Sequence, residues 1–171
     1  MNPSNANAED DPVYSNIAYM LPAALAPTFL AAQVLMFTSA ALVAGSAVFH
    51  ATYSRGGQRL DAATMLTYIA SLAAAVGAVW TPWAWVVVPI AALGYWGFTW
   101  DVDSLIHVPA WALAIIVMLF VQEGLWALLP LGIFSLAGLA KYLDGNPDTT
   151  MHSLWHILGG LAAGAAMWLI R

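Results

Sequence analysis

Cysteine is absent from this chain of 171 residues, and charge of either sign is scarce. The missing thiols exclude disulfide bonds, thiolate metal ligands and cysteine nucleophiles. Only four lysine and arginine residues are present, and none of them forms a basic block. Because nucleic-acid binding relies on clustered cations that neutralise phosphates, we expect no nucleic-acid partner.

Apolar side chains dominate what remains. They make up 62% of the sequence against 8% charged residues, and the mean hydropathy is +0.78. The chain has too few solvated side chains to cover a water-soluble globule, so it must face lipid. At roughly 20 residues per crossing, it holds six or seven helices and almost no extramembrane domain. The sequence therefore predicts an all-α, multi-pass integral membrane protein.

Helix signals predict a polar, acidic tail over residues 1–11 and a single transmembrane domain over residues 12–171. The tail lacks the basic stretch of a cleaved signal peptide, so we expect the first span to be retained. Thr81-Pro82 puts a capping side chain before a proline, a pattern typical of helix starts. The run Arg55-Gly56-Gly57-Gln58-Arg59 is predicted as a turn. The seven predicted spans cover about residues 12–26, 27–54, 60–80, 81–100, 105–121, 125–142 and 149–170.

Three of the four histidines fall at predicted span ends. His50 lies near the end of the second span, whereas His152 and His156 lie in the first turns of the seventh. Residues four apart share one face of a helix, so the last two imidazoles stack. Four complete crossings separate His50 from His152, and an even number returns the chain to the same leaflet. We therefore expect all three imidazoles to meet at one membrane face.

Two further polar side chains fall on the same side by the same count. Asp61 is predicted in the first turn of the third span, and Ser46 lies one helical turn before His50. Ionisable groups at membrane depth are costly and indicate function by default. Three imidazoles with an open position form a common catalytic zinc shell, which lowers the pKa of bound water toward about 7. Asp61 is interpreted as the group that orients this water or shuttles its proton, and Ser46 as a donor to the developing oxyanion.

The order of these residues resembles a known family. Ser46-Ala-Val-Phe-His50, then Asp61, then His152-Ser-Leu-Trp-His156-Ile-Leu-Gly-Gly are similar to the SxxxH, Asp and HxxxH signature of the CREST superfamily of membrane hydrolases. That superfamily includes the alkaline ceramidases, which this chain resembles most, and relatives of the adiponectin receptors. Ser15-Asn16 is also similar to the first helix of the family. This chain is shorter than typical ceramidases and has minimal loops.

The resemblance implies a seven-helix fold with zinc held by His50, His152 and His156, and with Asp61 and Ser46 around the catalytic water. It implies hydrolysis of an amide or ester bond in a lipid such as a ceramide. The family also has an acidic N-terminal calcium site, for which the candidates in this chain are Glu9, Asp10 and Asp11. The expected partners are the bilayer and a lipid substrate that enters from it.

Two other interpretations of the histidines stay open. The same zinc could tie spans together in a receptor or sensor without turnover. Alternatively, the histidines could hold haem in an electron-transfer protein, where Asp61 and Ser46 have no role.

The basic residues predict the orientation of the chain in the membrane. Arg55, Arg59 and Lys141 fall on the histidine side, and Arg171 falls on the other. The positive-inside rule then favours a cytoplasmic histidine side, in what we expect to be a bacterial inner membrane.

Overall fold

The computed structural model describes residues 12–97, 104–143 and 149–171. Its N-terminal segment (residues 12–25) begins as a 3-10 helix, Pro12–Met20, and continues as α1, Leu21–Leu25. The second helix, α2, spans Phe29–Thr52. Its start is fixed by Thr28, whose Oγ1 accepts a hydrogen bond from the backbone N–H of Ala31 at 3.1 Å. This cap satisfies one of the orphan donors at the helix start.

The third helix, α3, spans Arg55–Gly77, so the turn predicted over residues 55–59 is wrong. The chain reverses earlier, at Tyr53, which has a left-handed backbone with φ of 45°, and at Ser54, whose Oγ accepts the N–H of Gly57 at 3.0 Å. A Cβ on Gly57 would lie 2.9 Å from the Cα of Phe49. Glycine is therefore needed at position 57 for the close approach of α2 and α3. Because α3 begins earlier than predicted, Asp61 lies in its second turn rather than its first.

The remaining elements follow the predicted order. Thr81 caps a 3-10 helix through the N–H of Trp83, and Gly124 has a positive φ of 60° where the chain turns out of α5. Positive φ is readily adopted by glycine, which explains the break predicted at this point. The bounds are Pro82–Val86 (3-10), α4 Val87–Gly97, α5 Ser104–Glu123, Gly124–Ala127 (3-10), α6 Leu128–Leu143 and α7 Thr149–Leu169.

The helices pack as two groups that share a core. The most buried helix, α3, contacts α2, α4 and α5, whereas α7 contacts α6 and the N-terminal segment, which also packs on α2. Although α5 and α6 are consecutive, they scarcely touch along their lengths, and α3 meets α7 only briefly. The core includes Leu35, Tyr68, Leu72, Leu119 and Met167. This arrangement leaves a space between the α3–α5 pair and the α6–α7 pair.

All the elements in the described ranges are helical, which confirms the predicted all-α class there. Three stretches among them are long and apolar enough to cross a membrane: Phe29–Thr52, Arg55–Gly77 and Ile106–Leu143. The third contains both α5 and α6. The N-terminal segment and α4 are short, and two histidines lower the hydropathy of α7. The helices are thus compatible with a membrane protein, as predicted.

Candidate functional site

The imidazole cluster (His50, His152 and His156) forms where the C-terminal end of α2 meets the N-terminal end of α7. The ring centroids of His50 and His152 are 5.7 Å apart, and those of His152 and His156 are 4.6 Å apart. Both pairs meet edge to face. His156 is buried, with 5% of its surface exposed, whereas the other two rings are half-buried. The cluster therefore joins a helix from early in the chain to its last helix.

These separations can be compared with those of a tris-histidine metal site. A Zn–N bond is about 2.0–2.1 Å, so the ring centres of tetrahedral ligands lie roughly 5 Å from one another. The measured centroid separations of 5.7 and 4.6 Å bracket this value. Two of the three ring separations thus fall near the value expected for ligands of one ion. Among the described residues, however, no group of three His, Asp or Glu side chains has the positions needed to hold a metal ion.

A hydrogen bond from the N-terminal segment orients one of these rings. The Oγ atom of Ser15 lies 3.0 Å from Nδ1 of His156. If the imidazole is the donor in this bond, its proton is on Nδ1 and Nε2 keeps a lone pair. Such a bond to the second nitrogen is what fixes the tautomer and direction of metal-binding histidines. Ser15 is therefore suited to prepare His156 as a ligand through Nε2.

A second hydrogen bond fixes Ser46. The side-chain amide of Asn16 donates to the Oγ atom of Ser46 at 2.8 Å, and each of these residues has only 1% of its surface exposed. Because Ser46 accepts this bond, its own hydroxyl hydrogen can be donated to another acceptor. The arrangement is what a donor to a developing oxyanion requires.

Asp61 lies on α3 at the same end of the bundle and is half-buried. Its carboxylate interacts electrostatically with the ammonium group of Lys141, and Tyr19 lies within range of its charge. The Nζ atom of Lys141 lies 5.0 Å from the ring centroid of Trp155, whose own ring centre is 4.8 Å from that of His156. Lys141 is thus linked to the imidazole cluster through Trp155, and Asp61 through its interaction with Lys141.

Glycines on α7 allow the N-terminal segment to approach this end of the site. A Cβ on Gly160 would lie 2.5 Å from the backbone oxygen of Ala18, and one on Gly159 would lie 2.9 Å from the hydroxyl of Tyr19. Gly164 is similarly close to Leu21. The pair Gly160 and Gly164 has the small-xxx-small spacing that lets membrane helices touch. This glycine seam (Gly159, Gly160 and Gly164) holds Ser15, Asn16 and Tyr19 against the site.

An apolar cavity of about 80 Å³ adjoins the imidazole cluster. It lies between the α3–α5 and α6–α7 pairs, and Tyr19 and Trp155 border both the cavity and the cluster. Apart from the Tyr68 phenol, the rest of its wall is mainly hydrocarbon, contributed for example by Leu72, Ile116 and Phe134. A space of this character suits an alkyl chain whose polar end lies among the histidines.

The structure therefore brings together His50, His152, His156 and Ser46, with Asp61 close by. Sequence analysis noted Ser15-Asn16 only as similar to the first helix of the family and did not single out Tyr19, although two adjacent polar residues in an apolar helix are a signal of function. The three calcium candidates, Glu9, Asp10 and Asp11, lie outside the described residues.

Comparison with known proteins adds no relative: no family model, no curated protein and no solved structure matches this chain.

Proposed function

We propose that this protein is an intramembrane hydrolase that holds zinc at the imidazole cluster and cleaves an amide or ester bond of a lipid such as a ceramide. One observation carries the proposal. Three imidazoles from two distant helices lie together at one end of the bundle, beside a buried hydroxyl, a carboxylate and an apolar cavity. A structural histidine pair needs none of these neighbours.

The proposed fold is a bundle of seven crossings. Because Gly124 turns the chain, α5 and α6 are taken as two crossings, and α7, with 21 residues, has the length of a third at about 31 Å. The N-terminal segment and the run from Pro82–Val86 through α4 are the two short crossings, in addition to α2 and α3. An even number of crossings between His50 and His152 agrees with their meeting at one end.

His50, His152 and His156 are the proposed zinc ligands, and at least one ring must rotate from its present position to bind. Bound zinc supplies Lewis acidity and lowers the pKa of a water molecule toward about 7. The hydrogen bond between Ser15 and His156 supports binding through Nε2. Haem is the less favoured occupant of the cluster, because a carboxylate and a hydroxyl beside the rings have a role in hydrolysis and none in electron transfer.

The neighbouring side chains have separate roles in the proposed reaction. Asp61 accepts a proton from the attacking water and later returns it to the leaving group. Ser46, held by Asn16, donates a hydrogen bond to the oxygen of the scissile carbonyl as negative charge develops there. The hydrocarbon chain of the lipid occupies the apolar cavity, which positions the carbonyl beside the histidines.

The proposed orientation follows from the basic residues. Arg55, Arg59 and Lys141 lie at the helix ends near the imidazole cluster, and Arg171 follows the far end of α7. The positive-inside rule then gives a cytoplasmic cluster in a bacterial plasma membrane. Water would reach the site from that side, while the lipid enters from the bilayer between α5 and α6, which scarcely contact each other.

The experiment that tests the proposal combines metal analysis with a lipid panel. Purified wild-type protein is expected to contain about one zinc per chain, and His152→Ala is expected to lose it, since three neutral imidazoles are needed for a closed shell. Wild type should release a fatty acid from an amide or ester lipid, whereas Asp61→Asn should keep its zinc and lose turnover. Iron in place of zinc, or zinc with no turnover against any lipid class, would overturn the proposed hydrolase; the second result would favour a receptor or sensor.

A further inference from the structure

Tyr19 lies at the boundary between the imidazole cluster and the apolar cavity. Its ring centroid is 5.9 Å from that of His156, and the same side chain lines the cavity. Only 8% of its surface is exposed. One side chain thus borders an imidazole of the cluster and a hydrocarbon-lined space at once.

The position of this phenol is fixed by its surroundings. The hydroxyl of Tyr68 donates to the backbone oxygen of Tyr19 at 3.0 Å, and the two rings meet edge to face at 5.4 Å. On the other side, Gly159 has no side chain where the Tyr19 hydroxyl lies, and a Cβ there would be 2.9 Å from it. The glycine therefore makes room for the hydroxyl, and Tyr68 holds the backbone from which it extends.

A fixed phenol at this boundary has a specific chemical use. Its ordinary pKa is about 10, so at pH 7 it is neutral and its hydroxyl is a hydrogen-bond donor. The other phenol in the cavity wall, Tyr68, already donates to backbone. An alkyl chain in the cavity would bring its first polar group to the place where the hydrocarbon wall ends, which is where Tyr19 lies.

We propose that Tyr19 is a substrate-binding residue whose hydroxyl donates a hydrogen bond to the carbonyl oxygen of a fatty-acyl amide or ester while the acyl chain occupies the cavity. The inference rests on the proposed function, because it takes the cavity as the acyl site. It adds a binding specificity: the cavity should bind lipids that carry a carbonyl at the head of the alkyl chain more tightly than a simple hydrocarbon.

The test compares binding of two probes to the full-length protein in detergent micelles: a long-chain fatty amide and the alkane of equal length, each displacing a fluorescent fatty-acid analogue. Tyr19→Phe should weaken binding of the amide about 2- to 10-fold, the value of one hydrogen bond, and leave alkane binding unchanged. Gly159→Ala should give the same selective loss, since its methyl group displaces the hydroxyl. The matched control is Tyr95→Phe, which removes a hydroxyl outside the cavity wall that accepts a hydrogen bond from Trp111. This variant should change the binding of neither probe.

Because binding requires neither metal nor turnover, its outcome is separable from that of the hydrolase assay. Equal loss of both probes in Tyr19→Phe, or no loss of either, would overturn the role of Tyr19 even if wild type cleaves lipids. Conversely, a selective loss for the amide supports this role even if no lipid is turned over. Intrinsic tryptophan fluorescence during heating shows whether each variant is folded, and if Tyr19→Phe is not, Gly159→Ala decides the question alone.

Discussion

Gly160→Ala is the substitution for which the structure predicts the largest effect per atom added. The new Cβ would lie 2.5 Å from the backbone oxygen of Ala18 and 2.6 Å from its carbonyl carbon. These are backbone atoms, which cannot rotate away as a side chain does. An ordinary contact begins at 3.4 Å, so the N-terminal segment would have to withdraw by roughly 3.4 − 2.5 = 0.9 Å.

Two consequences follow from that withdrawal. Overpacking of a close contact costs about 1–3 kcal/mol, so the free energy of unfolding should fall by that amount. In addition, the bond between Ser15 and His156, now 3.0 Å, would exceed the hydrogen-bond limit if the segment moved directly away. Loss of such a partner typically lowers metal affinity 10- to 100-fold, so the proposed zinc should bind correspondingly more weakly although none of its three proposed ligands is altered.

The assay for Gly160→Ala has one readout for each consequence. Unfolding in mixed micelles, followed by tryptophan fluorescence, gives the change in stability, and competition with a calibrated chelator gives the zinc affinity. The matched control is Gly138→Ala on α6, where a Cβ would meet nothing within 4 Å. It should be neutral or slightly stabilising, because alanine favours helix over glycine. If Gly160→Ala has the same free energy of unfolding as this control, the described backbone contact between α7 and the N-terminal segment is wrong. If Gly160→Ala is destabilised but its zinc affinity is unchanged, the role assigned to Ser15 is wrong.

Three other experiments test separate parts of the description. In a double-mutant cycle, Asn16→Ala and Ser46→Ala should show a coupling of about 1 kcal/mol in the free energy of unfolding, because the two side chains share one buried hydrogen bond. Strictly additive effects would mean that this bond is not formed. Ala112→Leu narrows the cavity. If the added side chain excludes two methylene groups of the acyl chain, KM for a long-chain substrate should rise about 15-fold, whereas KM for a short-chain substrate should not change. Equal effects on both substrates would place the acyl chain elsewhere. Ser54→Ala should lower the free energy of unfolding by about 1 kcal/mol through loss of the cap of α3, and an unchanged value would argue that α3 starts further along, as the sequence suggested.

Much of the fold was predictable because the local signals and the final packing agree. Capping residues before proline identified the helix that starts after Thr81, and Gly124 identified the break after α5. The glycines at 56 and 57 misled the prediction, since glycine usually marks a turn. At Gly57 the absent side chain serves helix packing against Phe49, and no local pattern distinguishes that use from a turn.

The candidate site was predictable for a different reason. Counting crossings requires only the number of spans, so it could bring His50 and His152 to the same end of the bundle without knowledge of how the helices pack. The neighbours of these rings could not be obtained in that way. Contact of Ser15 with His156, and of Asn16 with Ser46, depends on the register between the N-terminal segment and the rest of the bundle, which the glycine seam sets through backbone contact.

The joining of α7 to the N-terminal segment also determines when the site exists during biosynthesis. The ribosome makes α2, with His50 and Ser46, long before it makes His152 and His156. Until α7 enters the membrane and docks along its glycines, the nascent polypeptide holds only one imidazole of the cluster, and Ser15 lacks its hydrogen bond to His156. An incompletely translated chain therefore cannot assemble the imidazole cluster, and a premature stop codon upstream of α7 yields a product without the proposed metal site.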